Sequence, residues 1–145
     1  TAEVLATAGG IYRELFEVSV TDTSDPGRDL GDFFESGASV LESTDFIDPC
    51  PIGGVAREVA STNERLRAAA EDVFGDWIEV ASEFFERSGL AQPESRDLAT
   101  TVIAIIEGGF ILARTTRDAS AFRAAGHHVK MLVDAALAAS SARSA

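Results

Sequence analysis

From Leu98 to Ala113 the chain carries a run of apolar and small residues in which Glu107 is the only charged side chain. Such a run has few physical outlets. It is long for a strand and shorter than the roughly 20 residues an apolar helix needs to cross a bilayer, so it reads as a buried helix of a globular core. At about 100 degrees per residue, Ile103, Ile106 and Phe110 fall on one side of that helix. Thr101, Ile105, Gly108 and Leu112 fall nearly opposite. Both sides demand burial, and a thin bundle of one chain covers only one of them. The second face is low in relief, with Thr101, Ala104 and Gly108 permitting close approach of another helix. The expectation is therefore a homodimer in which this helix and the next form a four-helix seam across a two-fold axis. A helix that is simply central in a monomer is the competing reading.

The remainder of the chain repeats the helical period and contains no two-residue alternation of any length. Val4, Ala8, Ile11, Leu15 and Val18 recur at three- and four-residue steps, widened by Leu5, Tyr12 and Phe16, and predict a first helix. Asp25 and Pro26 signal the start of a second, running to about Leu41, because Asp accepts from free first-turn amides and Pro fits that turn. Asp48, Pro49 and Pro51 interrupt the pattern, and a short third helix is expected over 52–60. Ser61 and Glu64 have the spacing of a capping box and predict the start of a fourth helix. Its apolar face is Leu66, Ala70, Val73, Trp77, Ala81 and Phe84; its opposite face is Asp72, Asp76, Glu79 and Glu83. A fifth helix is expected from about Pro93 to Arg117, and a sixth, capped by Asp118 or Ser120, with Phe122, Ala125, Val129, Leu132, Val133 and Ala136 on one face. After Ala138 the Ala/Ser/Arg tail is expected to fray. The whole reads as one all-α domain over residues 1–145, an antiparallel bundle of about six helices dimerising through the last two.

Charge narrows the function classes. Twenty-four acidic against twelve basic residues give a formal net charge of −12, which repels a phosphate backbone. The arginines form no stripe, and Lys130 is the only lysine, so these residues are not expected to hold nucleic acid. Cys50 is the only cysteine, which excludes an internal disulfide and suits a reducing cytoplasm. No secretory signal is expected in it and no membrane partner. The chain begins at Thr1 within a helical pattern, and a segment upstream of it is expected to have been lost.

The aromatic supply suits a small-molecule pocket. Tyr12 and Phe16 lie on the first helix, Phe33 and Phe34 on the second, Phe46 after it, Trp77 on the fourth and Phe110 on the fifth. Ligand sites are largely apolar with few placed polar groups, so Tyr12, Phe16, Phe33, Phe46, Trp77, Ile103, Ile106 and Phe110 are candidate effector contacts. Ordinary core packing is the competing reading for each. Glu107, a carboxylate beside an apolar face, must be hydrogen-bonded, paired or protonated. It is a candidate for recognising a donor group of the ligand, or for a structural bond to a neighbouring helix end or to Arg114. The dimer-interface candidates are Thr101, Ile105, Gly108, Leu112, Phe122, Val129, Leu132 and Ala136. Cys50 reads as a quiet thiol. His127 and His128 point about 100 degrees apart and suit interface or surface roles better than one metal ion. No catalytic residues, metal site or cofactor are expected, since the chain has no nucleophile elbow, phosphate loop or dinucleotide fingerprint.

Cys50-Pro51-Ile52-Gly53-Gly54, Val55 to Ala60, Leu66-Arg67, the Phe74 and Trp77 pair, and Ile106-Glu107-Gly108-Gly109 with Ala113-Arg114 resemble the carboxy-terminal domain of TetR-type transcriptional regulators. They are most similar to its LmrA/YxaF-like branch, and the likeness spans nearly the whole chain. The resemblance implies a domain that binds a small apolar effector and forms a homodimer, with DNA read by an amino-terminal helix-turn-helix expected to lie outside residues 1–145. The alternatives from other classes are a helical protein-interaction module without a ligand cavity, and a small enzyme built around Glu107 or His127.

Overall fold

The computed structural model describes residues 1–47 and 50–145, so Asp48 and Pro49, part of the predicted break, lie outside the described residues. Six helices follow one another: α1 (Ala2–Ser19), α2 (Pro26–Ser43), α3 (Pro51–Val59), α4 (Glu64–Arg87), α5 (Glu94–Thr116) and α6 (Ser120–Ser144). No strand occurs among the described residues. The all-α reading holds.

Local chemistry sets most helix ends. The Thr1 hydroxyl accepts from the Val4 amide at 3.4 Å, and Asp25 accepts from the Arg28 amide at 3.3 Å ahead of Pro26. Asp29 then folds the preceding loop back, accepting from the Thr21 and Asp22 amides at 2.6 and 2.9 Å. The capping box expected at Ser61 and Glu64 does not form. Residues 60–62 are a turn, and Asn63 caps α4 by accepting from the Leu66 amide at 3.1 Å. Three candidate caps stand within four residues here; residues 60–62 lie in the turn, and Asn63 has the extended backbone that aims its side chain at the helix end. The tail does not fray either. α6 continues to Ser144, because the Ser140 hydroxyl donates to the Gly89 carbonyl at 3.3 Å and Arg143 pairs with Glu94 at 2.7 Å.

α2 buries Leu30, Phe34, Ala38 and Leu41 on a single stripe and packs most extensively on α6. The approach is close: a Cβ at Gly126 would overlap the Phe34 side chain. Arg123 clamps the outside of this pair, meeting Glu35 at 3.0 Å and Glu42 at 2.6 Å. α4 packs on α1, α3 and α5, and its predicted acidic face is exposed. By length and apolar character α5 could cross a membrane, but in the fold Leu98, Ala99, Val102, Ile103, Ile106, Gly109 and Ala113 are buried against the bundle.

On α1 the burial is the reverse of the simplest periodic reading. Leu5, Gly9 and Phe16 face inward, whereas Val4, Ile11, Leu15 and Val18 are at least half exposed. Two equally periodic stripes run along this helix, and α4 accepts the one with glycine: at Gly9 a Cβ would stand 2.6 Å from Val73. The core is thus divided. A larger cluster lies between α2, α4, α5 and α6, and a smaller one of Leu5, Cys50, Ile52, Ala70 and Val73 gathers around α3. Phe74, Trp77 and Phe110 touch both.

Candidate functional site

Between the two clusters the packing is incomplete. A cavity of about 230 Å³ lies there, walled by side chains of α1, α2, α4, α5 and α6 together with Cys50. Tyr12, Phe16, Phe33, Trp77, Ile103, Ile106, Glu107 and Phe110, eight of the candidate effector contacts, all line it.

The walls are held by contacts within the chain. The Trp77 indole N–H donates to the Gly9 carbonyl at 2.9 Å, which ties α4 to α1 and fixes the ring. Tyr12 meets that ring edge-on with centroids 6.0 Å apart, and Phe74 also meets it edge-on at 5.6 Å. Phe110 is stacked on Phe122 at 4.5 Å with the planes 13° apart. Phe122 reaches that position because Gly37 and Gly109 lack side chains: a Cβ at either would stand 2.6 or 2.8 Å from its ring. Phe16 and Phe33 close the α1–α2 side, edge to face at 5.6 Å. Exposed Leu15 and Val40 stand at its rim, with Arg13, Ser19 and Ser36.

One polar feature enters the apolar wall. The Cys50 thiol donates to Glu107 Oε1 at 3.1 Å, and the other carboxylate oxygen fills the space that a side chain at Gly53 would occupy. Glu107 is therefore seated against the first turn of α3, where unpaired amides favour a negative charge. Burial, then the Glu107 charge, push the Cys50 thiol up to about 12. The sulfur is a neutral hydrogen-bond donor at physiological pH.

Phe46 is elsewhere. Asp45 and Phe46 both adopt left-handed backbone, φ 53° and 60°, which turns the chain off the end of α2 toward α5. The Phe46 carbonyl there accepts from Arg114 Nε at 3.2 Å, and its side chain borders a separate surface hollow with Arg114 and Arg117. Two interface candidates lie inward. Phe122 and Val129 are fully buried in the chain's own core, Phe122 as a cavity wall, because α6 turns that stripe toward α2 and α5. Of the rest, Thr101, Leu112 and Leu132 are exposed, while Ile105, Gly108 and Ala136 are half-buried. Exposed Met131 continues the same outward surface of α6 and was absent from the sequence reading. Cys50, Leu15, Gly37, Val40 and Val80 are cavity-lining residues that sequence reasoning missed. The CPIGG pattern was a signal for Cys50, but nothing in periodicity separates the other four from ordinary helix surface or core.

The sequence relationships agree with this architecture. Residues 26–128 match the family model for the carboxy-terminal domain of LmrA/YxaF-like transcriptional regulators. The chain is 30% identical over 90% of its length to the uncharacterized HTH-type transcriptional regulator YxaF of Bacillus subtilis, and spans 69% of that protein. It is 27% identical over 67% of its length to the HTH-type transcriptional regulator LmrA of the same organism, spanning 52% of it. The chain belongs to the LmrA/YxaF-like family of TetR-type transcriptional regulators, as their carboxy-terminal domain.

Proposed function

We propose that this chain is the effector-sensing and dimerising domain of a cytoplasmic TetR-like repressor, without catalytic activity of its own. A small, flat, apolar molecule is held between the helices, and DNA is read by a helix-turn-helix outside residues 1–145. The observation that carries the reading is the apolar cavity, with aromatic rings from α1, α2, α4, α5 and α6 on its walls. A protein-interaction module has no need to gather aromatic rings from five helices around one concave apolar space, which is what a small-molecule site requires.

Two copies join through the outward surface of α5 and α6, where Thr101, Ile105, Gly108, Leu112, Leu132 and Ala136 lie with Met131. Apolar side chains exposed on adjacent helices are what a two-fold four-helix seam buries. Effector binding then acts by differential affinity: a ligand that fits one spacing of α1 and α4 better than another shifts the subunit arrangement.

Trp77 is the only tryptophan, so its fluorescence reports on the cavity wall directly. Titration with the neutral planar fluorophore N-phenylnaphthylamine is expected to be saturable and to quench Trp77 emission, with Trp77→Ala weakening binding about tenfold. Absence of saturable binding removes the sensing role. Sedimentation velocity at micromolar concentration is expected to show a dimer, and a lone protomer there removes the dimerising one.

A further inference from the structure

Behind the cavity lies a second hollow of about 100 Å³, and the two share the same three side chains as a partition: Cys50, Glu107 and Phe110. Its character is different. Helical spacing sets its walls: Arg57 stands one turn beyond Gly53 on α3, and Ile111 and Arg114 stand one turn beyond Glu107 and Phe110 on α5. Gly53 and Gly54 add no side-chain bulk, and Thr115 completes the lining. In a chain of net charge −12, two arginines thus border one small recess beside the apolar cavity, Arg57 and Arg114, the second also bonded to the Phe46 carbonyl. Arg57 is exposed, and among the described residues it makes no ion pair; its guanidinium carries five N–H donors in a planar fork.

We infer that the effector is bipartite: a flat apolar body in the larger cavity and an anionic oxygen head, such as a carboxylate, reaching past Phe110 to Arg57 in this annex. This rests on the larger cavity being the effector site. A planar acceptor head matches the guanidinium fork, and the recess, being lined on several sides, keeps part of the solvent off the pair. Glu107 also lines the annex, with its carboxylate held against the first turn of α3 and bonded by the Cys50 thiol, so the head is placed on the Arg57 side of the recess.

The test compares two probes of equal length, naphthylbutanoate and the matched neutral alcohol naphthylbutanol, by quenching of Trp77 fluorescence. Wild type is expected to bind the carboxylate at least about tenfold tighter than the alcohol, the scale of one charge-assisted hydrogen bond. Arg57→Gln should bring that preference below about threefold while leaving the alcohol unaffected. Arg65→Gln, the same charge change on the exposed side of α4, should leave the preference intact. Equal binding of both probes to wild type, or an undiminished preference in Arg57→Gln, overturns the annex and leaves the cavity standing. Failure of both probes to bind overturns the cavity reading and the annex with it.

Discussion

Gly53 shows how one missing carbon can carry a site. A glycine inside a helix ordinarily costs about 0.5–1 kcal/mol relative to alanine. Here the absent Cβ is the seat of the Glu107 carboxylate, the far end of a flexible side chain, so Gly53→Ala is expected to destabilise by no more than about 1 kcal/mol, through displacement of that carboxylate from the Cys50 thiol. Gly75, with nothing within 4 Å of its missing Cβ, is the matched case. Gly75→Ala should stabilise by about 0.5–1 kcal/mol, and urea unfolding of the two variants measures both signs. Cys50 makes a second prediction at this scale. Its folded pKa is raised to about 12, so its contribution is fully present below the unfolded thiol value near 8.5 and is lost as pH rises from there. Thermal melts between about pH 8 and 11 should therefore show a steeper loss of stability in wild type than in Cys50→Ala. Equal slopes would mean that the thiol is not held neutral by its surroundings.

At the scale of helices, what matters is which of several plausible local partners wins. Asn63 wins the α4 cap, so Asn63→Ala is expected to cost about 1 kcal/mol, whereas Ser61→Ala should stay within about 0.5. Chemical denaturation with reversed ranking would restore the capping box. The Arg123 clamp between α2 and α6 carries a pH signature. The hydrogen bond from Arg123 holds the Glu42 carboxyl below its usual range, so the contribution is present above the unfolded value near 4.3 and lost as pH falls through the lower folded value. Arg123→Gln should lower the Tm at pH 7, and the gap from wild type should close on acidification below about pH 4. A gap independent of pH would assign the loss to packing of the arginine stem instead.

For the molecule as a whole, the proposed sensing and assembly sites occupy different faces, and separate substitutions should divide them. Ile103→Phe places bulk in the cavity and is expected to reduce N-phenylnaphthylamine affinity more than about tenfold without altering sedimentation. Leu112→Arg, on the exposed surface of α5, should do the opposite, giving a protomer that binds the probe. Loss of both properties in either variant would merge the two sites into one.

Helix number, the acidic outer face of α4, the buried side of α5 and the grouping of Tyr12, Phe16, Phe33, Trp77 and Phe110 were legible from the residues, because helical period and side-chain type are local properties. The sequence also marked Glu107 as a carboxylate in need of a partner. It did not say that the partner would be Cys50, far away along the chain, since a contact of that range depends on how α3 lies against α5. Nor did it choose between the two stripes of α1, place Phe46 outside the cavity, or turn Phe122 and Val129 inward. Each depends on relief: which helix face offers a glycine to a neighbour's ring, and which way a left-handed pair of residues sends the chain. Periodicity says that a face is apolar, and only the neighbouring helices decide whether that face is filled, hollow or left open.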